Sequence, residues 1–217
     1  MIAVRIVKTP FWGPSEQVIE EAYRTIRSGG LVVGPTDTVY GIFSDVYNDE
    51  YVEKVFLVKH RERTKPLPIL ASSIVAVEEI VEINDKLRAF LTAIWPGPIT
   101  VVFNDIDCDI FSSLVCRDNS IALRVPAAPF PRKLAEMNRG FITGSSANIS
   151  GEPSPLNIDE AIRYFDEDVQ IYVDSGKTPL KVPSTIVSIE DQGLSLIRQG
   201  AIDYVIISRI YRRIMSG

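Results

Sequence analysis

Several side-chain clusters in this sequence have the types and spacing to work on an anion. Lys59 and Arg61 lie two residues apart in "KHRERTK" (59–65), and Ser146 and Asn148 lie two apart in "GSSANISGEPSP" (144–155). "GPTDTVYG" (34–41) offers Thr36, Asp37, Thr38 and Tyr40, and Arg124 sits in "IALRV" (121–125). Lysine and arginine hold phosphate or carboxylate by charge and by fork geometry, while hydroxyls and amides orient the oxygens. What is scarce narrows the chemistry further. The chain has one histidine, His60, and two cysteines, Cys108 and Cys116. A Ser–His or Cys–His nucleophile would have to be built around His60, so covalent acyl-enzyme chemistry is not expected. The cysteine spacing fits neither a CxxC motif nor a zinc knuckle, which argues against a structural zinc and for a reduced, cytoplasmic setting. Neither GxxxxGK[ST] nor a strand-following GxGxxG occurs, so a nucleotide would be held by Lys/Arg, hydroxyls and backbone N–H groups instead.

The elements that must position these groups can be read from periodicity. Ser15 can cap a helix whose apolar positions Val18, Ile19, Ala22 and Ile26 recur at the helical period, with Gly29-Gly30 to close it. "LVVG" (31–34) is a strand. A helix over roughly 50–59 buries Val52, Val55 and Phe56, and Lys59 falls on the same stripe. A lysine on a core-facing line is expensive unless its charge meets an anion or reaches solvent. Arg61 would lie on nearly the opposite side of a continuous helix, so the two can serve one site only if the helix breaks between them. The other reading of this stretch is a solvated basic turn that complements the helix dipole.

Strands are predicted over 66–70, 99–103, 121–125, 140–144, 170–174, 184–189 and 194–198, and helices over 85–94, 130–138 and 158–165. "WPGPIT" (95–100) reads as a rigid turn, a pocket wall at most. The C-terminal "YVIISRIYRRIMSG" is amphipathic and basic and is expected to pack on the surface. This alternation predicts an α/β fold with one central, twisted mixed sheet and flanking helices, in a single domain over 1–217. In such sheets ligands sit where loops diverge at strand ends, which is where the 34–41 and 144–155 stretches fall. The same residue types dominate ordinary turns, but two such loops at strand ends predict a shared concave pocket.

With 217 residues, 46% hydrophobic and 24% charged, the chain has the balance of a globular protein. A net charge of −5 argues against tight nucleic-acid binding, which needs clustered cations. No apolar run approaches the length of a membrane span, and the N-terminus lacks a secretory pattern.

Seven collinear segments, "GGLVVGPTDTVYGI", "KHRERTKPLPIL", "WPGPITVVF", "IALRVPAAP", "SSANISGEPSP", "VPSTIVSI" and "LIRQG", together resemble the YrdC-like family of threonylcarbamoyl-AMP synthases. The resemblance covers most of the chain. It implies the YrdC-like fold and a reaction of L-threonine, bicarbonate (or carbon dioxide) and ATP that yields threonylcarbamoyl-AMP and pyrophosphate. The product would serve a downstream tRNA threonylcarbamoyl-transferase complex. Lys59, Arg61, Ser146 and Asn148 match the family's Lys-x-Arg plus Ser-x-Asn pattern and would be catalytic and nucleotide-binding. Thr36, Tyr40, Arg124 and Ser184 would bind threonine; Ser120, Ser154 and Arg198 would contact the nucleotide. Mg²⁺ would arrive with ATP rather than be held by protein side chains alone. RNA binding would be weak or absent, and no membrane is involved. Four positions depart from the family: Asp37 replaces a usual glutamate, Glu62 a proline, Ala128 a histidine, and Leu70 a histidine of some members. The chain stops where some relatives continue, so the short form is expected. The alternative is a catalytically silent relative that binds nucleotide or RNA; the intact four-residue set favours the enzyme. The similar domain of hydrogenase maturation factors belongs to much longer, cysteine-rich chains.

Overall fold

A computed structural model describes residues 5–190 and 192–217. The first half runs β1 (Arg5–Lys8), α1 (Glu16–Arg27), β2 (Val32–Gly34), β3 (Gly41–Phe43), α2 (Asp49–Val58), β4 (Ile69–Ala71), α3 (Ile74–Glu78), α4 (Asp85–Ile94) and β5 (Ile99–Phe103). Next come β6 (Cys116–Arg117), β7 (Ser120–Arg124), α5 (Pro129–Met137), β8 (Phe141–Thr143), β9 (Ser145–Ser146) and α6 (Ile158–Phe165). The chain then forms β10 (Ile171–Asp174), β11 (Thr185–Glu190), β12 (Gly193–Arg198) and α7 (Tyr204–Ser216). The mixed α/β character is as expected, but the strands form two sheets rather than one. One has the order β1-β10-β2-β3-β9; the other runs β12-β11-β5-β7-β4-β8, with β6 paired to β7. Both mix parallel and antiparallel neighbours.

Two sheets rather than one follow from where the apolar residues go. Val33 and Ile42 of the first sheet and Val101, Leu123 and Val187 of the second belong to one core, joined by Phe56 and Phe90 from helices. A second cluster covers the first sheet with α1 and α5, through Val18, Ile19, Ala22, Ile26, Leu134 and Ala135. Ser15 caps α1 by accepting from the Val18 amide at 3.4 Å. Gly29 follows the helix at φ +80°, the left-handed turn that glycine permits. The amphipathic C-terminal helix packs on α4, as expected, with Tyr211 edge-on to Phe90 at 5.1 Å between ring centres. No described helix is long and apolar enough to cross a membrane.

The cysteine reading needs correction. Cys108 and Cys116 are joined in a disulfide, with their Cα atoms 6.1 Å apart. Cys116 pairs with Ile121 across the β6–β7 turn, and the disulfide closes the loop that precedes it, between two cysteines eight residues apart. The thiols therefore give no support to a reduced setting.

Gly200 lies where a side chain has no room: a Cβ there would overlap the backbone of Pro183 and Ser184. Neither neighbour is a flexible side-chain tip, so relief requires a backbone shift. Gly200→Ala should lower unfolding free energy by about 1–3 kcal/mol, measured by urea denaturation.

Candidate functional site

The helix break required by the sequence is present. α2 ends at Val58, Lys59 is its C-cap, and His60 adopts φ +49°. This left-handed residue turns the chain so that Lys59 and Arg61 meet around one site. Lys59 is 1% exposed and does not reach solvent. Its Nζ donates to the Ser146 carbonyl at 2.5 Å and the Asn148 carbonyl at 2.6 Å. Its own carbonyl accepts from the Ser150 amide at 2.8 Å. The Lys-x-Arg and Ser-x-Asn segments are thus stitched together by side chain and backbone. The basic-turn reading does not hold for Lys59.

The first loop joins the same assembly. β3 pairs with β9, placing Gly41 opposite Ser146, and the Tyr40 amide and carbonyl bond to Pro155 and Ala147. Within the 34–41 turn the Thr36 hydroxyl donates to the Val39 carbonyl at 2.7 Å and accepts from the Thr38 and Val39 amides. The turn itself commits this hydroxyl, so Thr36 builds the wall rather than offering a free donor. The Tyr40 hydroxyl donates to Gly176 O at 2.8 Å and accepts from Ser175 N at 3.1 Å. Burial raises its pKa to about 12, so it stays a neutral anchor for the segment after β10.

These elements enclose two adjoining cavities. The inner one, about 130 Å³, is lined by Thr36, Tyr40, Arg124 and Ser184, the four residues assigned to threonine. The outer basin, about 460 Å³, is lined by Lys59, Asn148 and Ser154 from the nucleotide set. Arg61, Ser146 and Arg198 line both. Ser120 lines neither; it sits at the start of β7 opposite Arg117.

The arrangement gathers positive charge in a row. Burial, and after it the Arg61 guanidinium, lowers the Lys59 pKa to about 7. Arg61 is pulled down by burial and then by Arg198, and Arg198 by burial and then by Arg124. The row Lys59–Arg61–Arg198–Arg124 thus runs from the outer basin into the inner cavity, with each cation sensing the next. Arg61 is braced by the Lys65 and Pro66 carbonyls at 2.8 and 3.0 Å. Arg198 donates to the Ser184 carbonyl at 2.8 Å. Arg124 donates from Nε to Gly97 O, from Nη1 to Thr38 Oγ1 and from Nη2 to Asp37 Oδ1, at 2.9, 3.0 and 2.6 Å. Of its five N–H groups, one on each terminal nitrogen remains for a ligand.

Among the inner-wall residues not assigned from sequence, Thr100 and Thr38 bond to members of the threonine set. Thr100 is 2% exposed, and its hydroxyl pairs with that of Ser184 at 2.8 Å. Thr38, noted but left unassigned, holds Arg124. The available signal for Thr100 was a lone hydroxyl in the apolar strand "ITVVF" next to a rigid turn.

Asn148 supplies the one buried acceptor of the four-residue set that lacks a partner. Its Nδ2 donates to the Ile149 and Glu152 carbonyls, while its Oδ1 is buried without a partner. Among the described residues no group of three or more His, Cys, Asp or Glu could hold a metal ion.

A family model described as "Telomere recombination", covering Sua5, YciO and YrdC proteins, matches residues 24–200. The threonylcarbamoyl-AMP synthase of Pyrococcus abyssi is 31% identical over 179 residues, covering 82% of this chain and 52% of that protein. A Methanocaldococcus jannaschii protein whose name carries that activity provisionally is 34% identical, over 86% of this chain and 87% of its own length. The crystal structure of P. abyssi Sua5 complexed with L-threonine superimposes with a TM-score of 0.86 at 29% identity, over 95% of this chain and 60% of that one. The chain thus spans just over half the length of the Pyrococcus protein and most of the Methanocaldococcus one.

At pH 8 the empty site leaves Lys59 mostly unprotonated, and a bound polyphosphate should recharge it. Calorimetric titration with MgATP at pH 8, in buffers of different ionisation enthalpy, should show uptake of close to one proton by the native protein. Lys59→Met should abolish that uptake.

Proposed function

Because the chain belongs to the Sua5/YciO/YrdC family, we propose that it is a threonylcarbamoyl-AMP synthase, a nucleotidyltransferase acting on L-threonine, bicarbonate or carbon dioxide, and ATP. The observation that carries this reading is the row of four cations linking a small hydroxyl-lined cavity to a larger basic basin. It suits two anions bound side by side, an amino-acid carboxylate in the smaller cavity and a triphosphate in the larger basin.

Threonine lies in the inner cavity with its carboxylate on the two remaining Arg124 N–H groups. The hydroxyls of Ser184 and Thr100 lie on the same wall. The threonine amine adds carbon dioxide and loses a proton to become an N-carboxylate. A carboxylate oxygen then bonds to the α-phosphorus of ATP as the bond from that phosphorus to the pyrophosphate oxygen breaks. The products are threonylcarbamoyl-AMP and pyrophosphate, with no protein nucleophile involved. The N-carboxylate and the triphosphate are both anionic at the reacting centre, so gathering and aligning like charges are the main tasks. Arg61, Arg198 and Ser146, shared by both cavities, meet the reacting groups at the junction, while Lys59 faces the triphosphate.

Mg²⁺ fits this donor set as an ion brought by ATP. The unpaired Asn148 Oδ1 and the Ser146 hydroxyl are the hard oxygen groups that would hold it. When bound, it neutralises phosphate charge. A cytoplasmic location and transfer of the product to a tRNA threonylcarbamoyl-transferase complex complete the proposal.

The test is incubation of the purified protein with ATP, Mg²⁺ and bicarbonate, with and without L-threonine, measuring pyrophosphate and the adenylate product. Threonine-dependent release that requires bicarbonate is expected. ATP binding without any release would replace this reading with that of a silent nucleotide binder. Lys59→Ala and Asn148→Ala should each cut turnover by roughly 100-fold or more, with circular dichroism unchanged.

A further inference from the structure

Asp37 is buried, charged and lines neither cavity, so direct contact with a ligand does not explain it. Its carboxylate and the Arg124 guanidinium form an ion pair in which the side chains are 5% and 6% exposed. Oδ1 accepts from Arg124 Nη2 at 2.6 Å and from the Ala127 amide at 3.1 Å; the Ala128 amide lies at 3.5 Å. Oδ2 is buried with no partner. A buried pair with one oxygen unsatisfied is a poor stabilising device, because desolvation offsets most of the attraction.

What the pair achieves is orientation. Of the three cavity arginines, Arg124 alone has a carboxylate partner among the described residues. Arg124 and Arg198 are close enough for like charges to repel, and the Asp37 carboxylate holds Arg124 against that repulsion. Gly97 O and Thr38 Oγ1 hold the guanidinium at two further points, and one N–H on each terminal nitrogen stays open. The aspartate is in turn fixed by the Ala127 amide, on the segment that leaves β7.

We infer that Asp37 is the positioning residue for threonine recognition: it sets the direction in which Arg124 presents its fork to the substrate carboxylate. The inference rests on the synthase reading above.

The test is steady-state kinetics of Asp37→Asn and Asp37→Glu, each alone and combined with Arg124→Gln. Asp37→Asn should raise the KM for threonine about ten- to hundredfold, the scale of a charge-assisted hydrogen bond, with the KM for ATP within about twofold. Asp37→Glu should recover most of that loss by restoring the carboxylate. In the Arg124→Gln background, Asp37→Asn should add nothing, because both changes disable one device. If the asparagine variant fails to fold, Asp37→Ser carries the same predictions, since it removes the carboxylate without burying an NH₂. Equal loss of both substrates' KM, an unchanged threonine KM, or an undiminished penalty in the Arg124→Gln background would each overturn the inference. Failure of the native protein to turn over with threonine would instead defeat the synthase reading, so the two failures are distinguishable.

Discussion

The site depends on one buried lysine. Lys59 lies at the end of a helix whose other inward positions are apolar, and its charge is met by backbone carbonyls rather than by a carboxylate. This choice has two effects. Carbonyl dipoles hold the side chain in place without locking it in one charge state, so an arriving polyanion can draw a proton onto Nζ and pair with it. They also belong to Ser146 and Asn148, so the lysine that needs them fixes the loop carrying the other half of the motif. A carboxylate partner would have satisfied Lys59 locally and removed this side-chain tie to the loop.

The contrast with Arg124 shows the complementary solution. In the inner cavity the charge is paired with Asp37, and the gain is direction rather than field strength. The two ends of the cation row thus meet different demands. A triphosphate presents charge on every side and needs a strong field, whereas a carboxylate needs a fork held at one angle. Arg61 and Arg198 lie between, braced by main-chain oxygens and open toward both cavities.

Much of this was legible in the residues themselves. Lys59 on the Val52–Val55–Phe56 stripe marked a buried charge, and its distance from Arg61 required the break that His60 makes at positive φ. The helices at Ser15, over 85–94 and at the C-terminus followed from period and caps. The division into a threonine set and a nucleotide set came from resemblance to a family; the threonine set lines the inner cavity, Lys59, Asn148 and Ser154 line the outer basin, Arg61, Ser146 and Arg198 line both, and Ser120 lines neither. The strands β3 and β9, three and two residues long, were not found, because such short ladders are specified by partners far away in sequence. For the same reason the division into two sheets was not visible: alternation along the chain does not say which strands become neighbours. The disulfide was missed because a spacing of eight residues does not say whether the loop between Cys108 and Cys116 closes on itself. Thr100 was missed because one hydroxyl in an apolar strand carries no periodic signal.

The two-residue ladder between β3 and β9 has a wider implication. It joins Gly41 to Ser146 across more than a hundred residues of chain and leaves each cavity with walls drawn from both halves of the sequence. No local fragment can hold a partial version of either chamber. Ligand affinity is therefore a property of the completed tertiary structure, and occupancy acts back on the whole chain. A ligand at a hundred times its dissociation constant adds about 2.7 kcal/mol to the stability of the only state able to bind it. For a site crowded with like charges, its own reactants are thus a source of cohesion, and the empty protein is the less secure form.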